Sequence, residues 1–181
     1  MKERLIIFAI GFMFSCLGIM FFLHFRSVRS GDASLIKRMI NAAGEIGIVE
    51  QWLEADTLIV KLPKETITVR LNAVDTPGLD SPGGQEGLTF VQSLVGENPV
   101  RVLEFRRNTD GEIVGEVYTG ENLSLNEELM KVGWAWFYEP DSQKNPYYRE
   151  LNDSAIREQR GLWLSANPSP PWVTAPRNTA P

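Results

Sequence analysis

Whatever chemistry this 181-residue chain performs falls to carboxylates, arginines, lysines, hydroxyls or a hard metal ion. It contains one cysteine, Cys16, and one histidine, His24. Without further partners these cannot build a disulfide framework, a Cys/His zinc site, a Cys-His pair or a Ser-His-Asp triad. The groups with suggestive placement are Asp56, just ahead of a β-rich run, Arg70, inside the next such run, and Asp75-Thr76-Pro77 directly after it. Two carboxylates and an arginine beside strand ends suit a hard cation and an anionic oxygen. The same residues also read as ordinary turn residues and as a strand arginine paired with a nearby carboxylate, and spacing alone leaves both readings open.

The elements that must position these residues begin near Ile46. Residues 46–49 and 57–62 are β-rich, Pro63-Lys64-Glu65 makes a turn, and in residues 66–71 Ile67, Val69 and Leu71 alternate with Thr66, Thr68 and Arg70. This pattern predicts a three-stranded meander with Arg70 on the polar face of its strand. Continued alternation places Asp75 on the opposite parity from Arg70, so the chain must bend or bulge between them if both are to face one site. Residues 77–84 form a Gly/Pro-rich loop, and Leu88, Val91, Leu94 and Val95 then give helical spacing that stops at Gly96. Two strands, 100–107 and 113–118, are joined across Asn108-Thr109-Asp110-Gly111. Ser124-x-x-Glu127 is a capping box for a second helix ending at Gly133. Residues 134–138 form a short aromatic strand, and Asn145-Pro146 opens a third helix with Leu151, Ala155 and Ile156 on one side, ending at Gly161. Five strands interrupted by one helix and followed by two more predict an α+β fold, a five-stranded OB-type barrel with three helices.

The rest of the chain is unlike this part. Residues 5–23 form an uncharged, apolar run that as a helix spans roughly 28 Å, matching a bilayer core. A cleaved secretory signal is the competing reading, but the run is longer than a signal's apolar region and ends in His-Phe-Arg. The expected organisation is a transmembrane anchor over residues 1–25, a basic juxtamembrane linker over 26–43, the barrel over 44–166 and a Pro-rich tail over 167–181. A positive-inside count, with Arg26, Arg29, Lys37 and Arg38 after the run, favours a cytoplasmic barrel. The short, signal-like start favours the opposite, and the reading adopted is a single-pass membrane protein with an extracytoplasmic domain. The net charge of −5 is an average: from Ala43 onward there are 12 Lys/Arg against 21 Asp/Glu, a balance of −9. That acidity counts against tight gripping of a nucleic-acid backbone.

On Glu54-Ala55-Asp56-Thr57, residues 69–77 (VRLNAVDTP), Gly84-Gln85-Glu86-Gly87, Gly115-Glu116-Val117-Tyr118, Asn126-Glu127-Glu128-Leu129, Trp134-Ala135-Trp136, Gly161-Leu162-Trp163 and Pro170-Pro171-Trp172, the sequence resembles the staphylococcal nuclease (thermonuclease-like) family. The resemblance runs over residues 44–172 in the family's order and implies the OB-fold barrel reached independently above. It also implies phosphodiester cleavage in nucleic acid with one Ca²⁺. On this resemblance Asp56 and Asp75 are the metal carboxylates, Thr76 the carbonyl donor and Arg70 the first phosphate-binding arginine.

Two positions depart from the pattern. The family's catalytic carboxylate directly follows the Asp-Thr-Pro motif, where this chain has Gly78. The second arginine follows the glycine of the turn between the fourth and fifth strands, and here Gly111 is followed by Glu112. Asp80 is a substitute for the first, and Arg106 or Arg107 for the second. General acid–base help is typically worth about 10²–10⁴-fold and a preorganised charge stabiliser about 10²–10³-fold, so losing both removes several powers of ten of rate. The expectation is a membrane-tethered, nuclease-like barrel with impaired catalysis, acting as a binding or accessory module in a membrane complex. The alternative is a working Ca²⁺-dependent nuclease. Trp134, Trp136, Phe137, Tyr138, Trp163 and Trp172 suggest either base stacking or, preferred here, core packing and tail anchoring.

Overall fold

The computed structural model describes residues 44–120, 122–141, 146–165 and 168–173. The apolar run 5–23, the linker 26–43 and the end of the Pro-rich tail lie outside the described residues.

Strands β1 (Glu45–Glu54), β2 (Thr57–Lys61), β3 (Thr66–Leu71), β5 (Val100–Arg107) and β6 (Ile113–Tyr118) close a barrel in the order β1-β2-β3-β6-β5. Antiparallel pairs make up the barrel except for β3 beside β6, which run parallel. A two-stranded ribbon, β4 (Val74–Asp75) with β7 (Trp136–Phe137), is appended. Helices α1 (Gly84–Val95), α2 (Leu125–Val132) and α3 (Pro146–Arg157) complete the fold, so the expected five-stranded barrel with three helices is what the chain forms.

Alternation along β2 and β3 sends Leu58, Val60, Ile67, Val69 and Leu71 into the interior, where they meet Val91 and Val95 of α1 and Leu125, Leu129 and Met130 of α2. Helix α2 is capped as its sequence predicts: Ser124 Oγ accepts the Glu127 N–H at 3.2 Å, and Gly133, at φ +79°, ends it.

The structure departs from the sequence pattern in several places: the third helix stops at Arg157 and the aromatic strand is only Trp136–Phe137. Strand β1 continues to Glu54 because register shifts between Val49 and Gln51 and between Trp52 and Glu54 break the two-residue alternation without ending the ladder. The buried face of α3 is Tyr148, Leu151 and Ala155. Ile156, expected there, lies one residue round the helix from Ala155 and is exposed. The stretch between Arg70 and Asp75 is not one strand: β3 stops at Leu71, and buried Ala73 adopts φ +62° before β4 begins. That left-handed residue is the bend the parity argument required.

Candidate active site

The bend is held from several sides. The Asn72 N–H donates to Gly115 O at 2.7 Å, the Tyr138 N–H to Ala73 O at 2.9 Å, and the fully buried Asn126 Nδ2 to Asn72 O at 2.9 Å and Gly115 O at 3.2 Å. Asn126 Oδ1 in turn accepts the Val117 N–H at 3.2 Å. One amide therefore joins the end of β3 to β6, and it satisfies backbone groups that would be costly to leave bare in the interior.

With the chain turned at Ala73, Asp56, Asp75 and Thr76 are brought together. All three are buried. Asp56 Oδ2 accepts the Thr76 N–H at 3.1 Å and Asp56 Oδ1 accepts the Thr57 hydroxyl at 2.8 Å, which fixes the carboxylate while leaving each oxygen further lone-pair capacity. Thr76 Oγ1 is buried without a hydrogen-bond partner. Two buried carboxylates and threonine oxygens match in type the donors of a hard, oxygen-loving cation. Among the described residues no three acidic, His or Cys side chains surround one point, so much of a calcium shell would have to come from backbone carbonyl, water and substrate.

Arg70 lies directly across the β2–β3 ladder from Thr57, beside Asp56, and across the parallel ladder from Val114. Its guanidinium is engaged. Nε donates to Glu112 Oε1 at 3.2 Å and to Oε2 at 3.3 Å, and Nη2 donates to Oε1 at 3.2 Å. Burial pulls the Arg70 pKa down, but the Glu112 hydrogen bonds and the charges of Asp56, Glu112 and Asp75 outweigh it and raise the net value. Glu112 is itself fixed, because Asn108 Nδ2 donates to its Oε2 at 2.8 Å and its N–H donates to Asp110 Oδ1 at 3.1 Å. Arg70 is thus paired with a carboxylate, as one of its two readings from sequence has it.

The substitutes suggested by sequence are placed less favourably. Asp80 is exposed on a turn closed by the Ser81 N–H to Gly78 O bond of 2.8 Å. Arg107 donates to Glu65 at 2.9 Å and Glu104 at 3.0 Å, and these hydrogen bonds raise its pKa. Arg106 donates to Asp141 at 2.8 Å and to Asn108. The aromatic residues pack as preferred above. Trp136 and Tyr138 are buried, and Trp172 of the tail meets them at ring distances of 6.4 and 5.2 Å. A cavity of about 540 Å³ beside Pro77 and Gly78 has Trp134 and Trp136 among its walls.

Residues 68–165 match the sequence profile described as "Staphylococcal nuclease homologue". The chain belongs to the staphylococcal nuclease family. It is 32% identical over 127 residues, covering 70% of this chain and 82% of the relative, to an Escherichia coli protein named "Uncharacterized endonuclease". It is 29% identical over 139 residues, 70% of this chain and 78% of the relative, to a Shigella flexneri "Micrococcal nuclease". A rice "Probable staphylococcal-like nuclease CAN2" is 33% identical over 104 residues, 58% of this chain and 28% of that longer protein. Sequence reasoning singled out Glu112 but missed Asn108, which holds it, and Asn126, which holds the bend. Both asparagines sit in turn or capping contexts, where such residues are common, and nothing in their spacing sets them apart.

Proposed function

We propose that this nuclease-family barrel is catalytically attenuated, is tethered to the membrane through residues 5–23 with its barrel outside the cytoplasm, and serves as a binding or accessory module in a membrane complex. The observation that carries the attenuation is the Arg70–Glu112 pair: the guanidinium that would take a phosphate oxygen is already bonded to a carboxylate, with three contacts of 3.2–3.3 Å. Three carboxylates, Asp56, Asp75 and Glu112, act on one arginine, so an incoming phosphodiester meets net negative charge until a divalent cation offsets it. Gly78 adds to this by offering no side chain to orient a water. The balance of −9 from Ala43 onward supports weak nucleic-acid contact.

A second reading, a Ca²⁺-dependent extracytoplasmic nuclease acting on phosphodiesters, is favoured by the assembled Asp56, Asp75 and Thr76. On either reading these residues would hold Ca²⁺, which the family generally requires and which would polarise a phosphoryl oxygen when bound. Arg70 and the carboxylates only orient and balance charge around it. Calorimetric Ca²⁺ binding that is lost in Asp75→Ala tests the cation role without recourse to activity. The decisive assay is cleavage of single-stranded DNA and RNA by the full chain in detergent, with millimolar Ca²⁺ or with chelator. Slow or no cleavage is expected; rapid Ca²⁺-dependent cleavage abolished by Asp75→Ala would establish the second reading instead.

A further inference from the structure

We propose that Glu54 supplies the carboxylate that Gly78 lacks: it accepts a hydrogen bond from the water whose oxygen forms the new bond to phosphorus, holding it in line as the bond from phosphorus to the leaving sugar oxygen breaks, the proton lost by the water passing through solvent and the leaving oxygen taking one up. The inference rests on the reading above, a nuclease-family site held back by Glu112, and it identifies the residue through which the site's remaining hydrolysis runs.

The geometry around Gly78 carries it. A Cβ placed on Gly78 meets a single atom within 4 Å outside its chain neighbours, Glu54 Oε1 at 3.7 Å. Gly78 is not among the glycines with positive φ, so neither backbone conformation nor crowding demands glycine there. The space into which a side chain at 78 would project is approached by the carboxylate of Glu54. That residue ends β1 immediately after the second register shift and opposite Thr57, so the short turn it opens also carries Asp56. Asp56 is hydrogen-bonded to the Thr76 N–H, two residues before Gly78, so the turn that carries Glu54 and the segment that carries Gly78 are in contact. A carboxylate at the edge of the position that follows Asp75-Thr76-Pro77 is placed to hold a nucleophilic water. Asp80, the sequence-based substitute, is exposed on its turn and has no comparable placement.

The test uses the full chain in detergent with Ca²⁺ and a single-stranded oligonucleotide. Cleavage is compared among wild type, Glu112→Arg, Glu54→Ala/Glu112→Arg, Gly78→Glu/Glu112→Arg and Glu54→Ala/Gly78→Glu/Glu112→Arg, with thermal melts to show that each is folded. The expected pattern is a rate gain in Glu112→Arg, a loss of about 10²-fold in kcat with little change in KM on removing Glu54, and recovery of at least a tenth of the rate when Gly78→Glu returns a carboxylate. Because position 78 is the family's own carboxylate position, the rescue is read against Gly78→Glu/Glu112→Arg with Glu54 intact: a water-holding Glu54 predicts little further loss on its removal in that background, whereas a purely structural Glu54 predicts the same fold loss in both backgrounds. If Glu112→Arg gains activity and Glu54→Ala leaves it unchanged, or Gly78→Glu rescues nothing, the role of Glu54 is overturned while the reading of Glu112 stands. If wild type already matches Glu112→Arg and Glu54→Ala still abolishes cleavage, the reading of Glu112 fails and Glu54 keeps its role. Absence of cleavage in every variant overturns the role of Glu54, since there is then no hydrolysis for it to serve.

Discussion

The two halves of the candidate site have been treated differently by this sequence. On one half, around the β1–β2 turn and the bend after β3, Asp56, Asp75 and Thr76 are buried and of the types a hard cation takes, and Asp56 accepts hydrogen bonds from the Thr76 N–H and the Thr57 hydroxyl. On the other half, at the β5–β6 hairpin, Glu112 binds Arg70 and brings a negative charge to its guanidinium. The scaffold beneath both is the same barrel, tied across by Asn126. Fold and local charge are set by different residues: buried Asn126 ties the bend to the barrel, whereas Glu112 on the hairpin sets the charge beside Arg70.

The largest expected effect strikes both halves together. Asn126→Ala leaves the Val117 N–H and the Asn72 carbonyl without their buried partner, at roughly 1–3 kcal/mol each, so a loss of about 3–5 kcal/mol in denaturant unfolding is expected. A loss below about 1 kcal/mol would show that the halves are held independently. Next is Glu112→Arg, which removes the anion bound to Arg70 and adds a cation. Cleavage in Ca²⁺ should rise by about 10²–10³-fold, as for regaining one charge stabiliser, and an unchanged rate would place the defect elsewhere. Ser124→Ala lies outside both halves. It removes a helix cap and the 2.6 Å hydrogen bond to buried Glu116, and a cost of about 1–2 kcal/mol in thermal unfolding, with Ca²⁺ binding unchanged, is expected. The smallest effect is at Arg107, whose hydrogen bond holds the exposed Glu65 below the usual carboxylate range. In Arg107→Ala the Glu65 titration followed by NMR should move up toward its ordinary value while cleavage stays unchanged, separating this surface pair from the phosphate half.

Much of the barrel was legible because its core obeys simple periods. Leu58, Val60, Ile67, Val69 and Leu71 alternate, Val91 and Val95 recur at helical spacing, and Ser124 and Gly133 mark both ends of α2. The bend at Ala73 was legible only as a requirement. Alanine carries no mark of a positive φ, and the hydrogen bonds that impose it come from Gly115, Asn126 and Tyr138, 42 or more residues away in sequence. That Asp56, Asp75 and Thr76 come together was legible through the family pattern, which ties their types to their places. The pairing of Arg70 with Glu112 depends on a parallel β3–β6 register that brings together residues 42 apart, and no local pattern encodes it. The position of Glu54 against Gly78 likewise follows from the register shift at the end of β1, which periodicity registers only as a strand that fades early.

The contrast between the halves can be measured directly by calorimetry on the full chain in detergent, titrating Ca²⁺ first and then a short single-stranded oligonucleotide into the Ca²⁺-loaded protein, for wild type and Glu112→Arg. The predicted result is Ca²⁺ binding in both proteins, lost in Asp75→Ala, with oligonucleotide binding at least about tenfold tighter in Glu112→Arg than in wild type. Equal oligonucleotide affinity in the two, or no Ca²⁺ binding to either, would contradict the account.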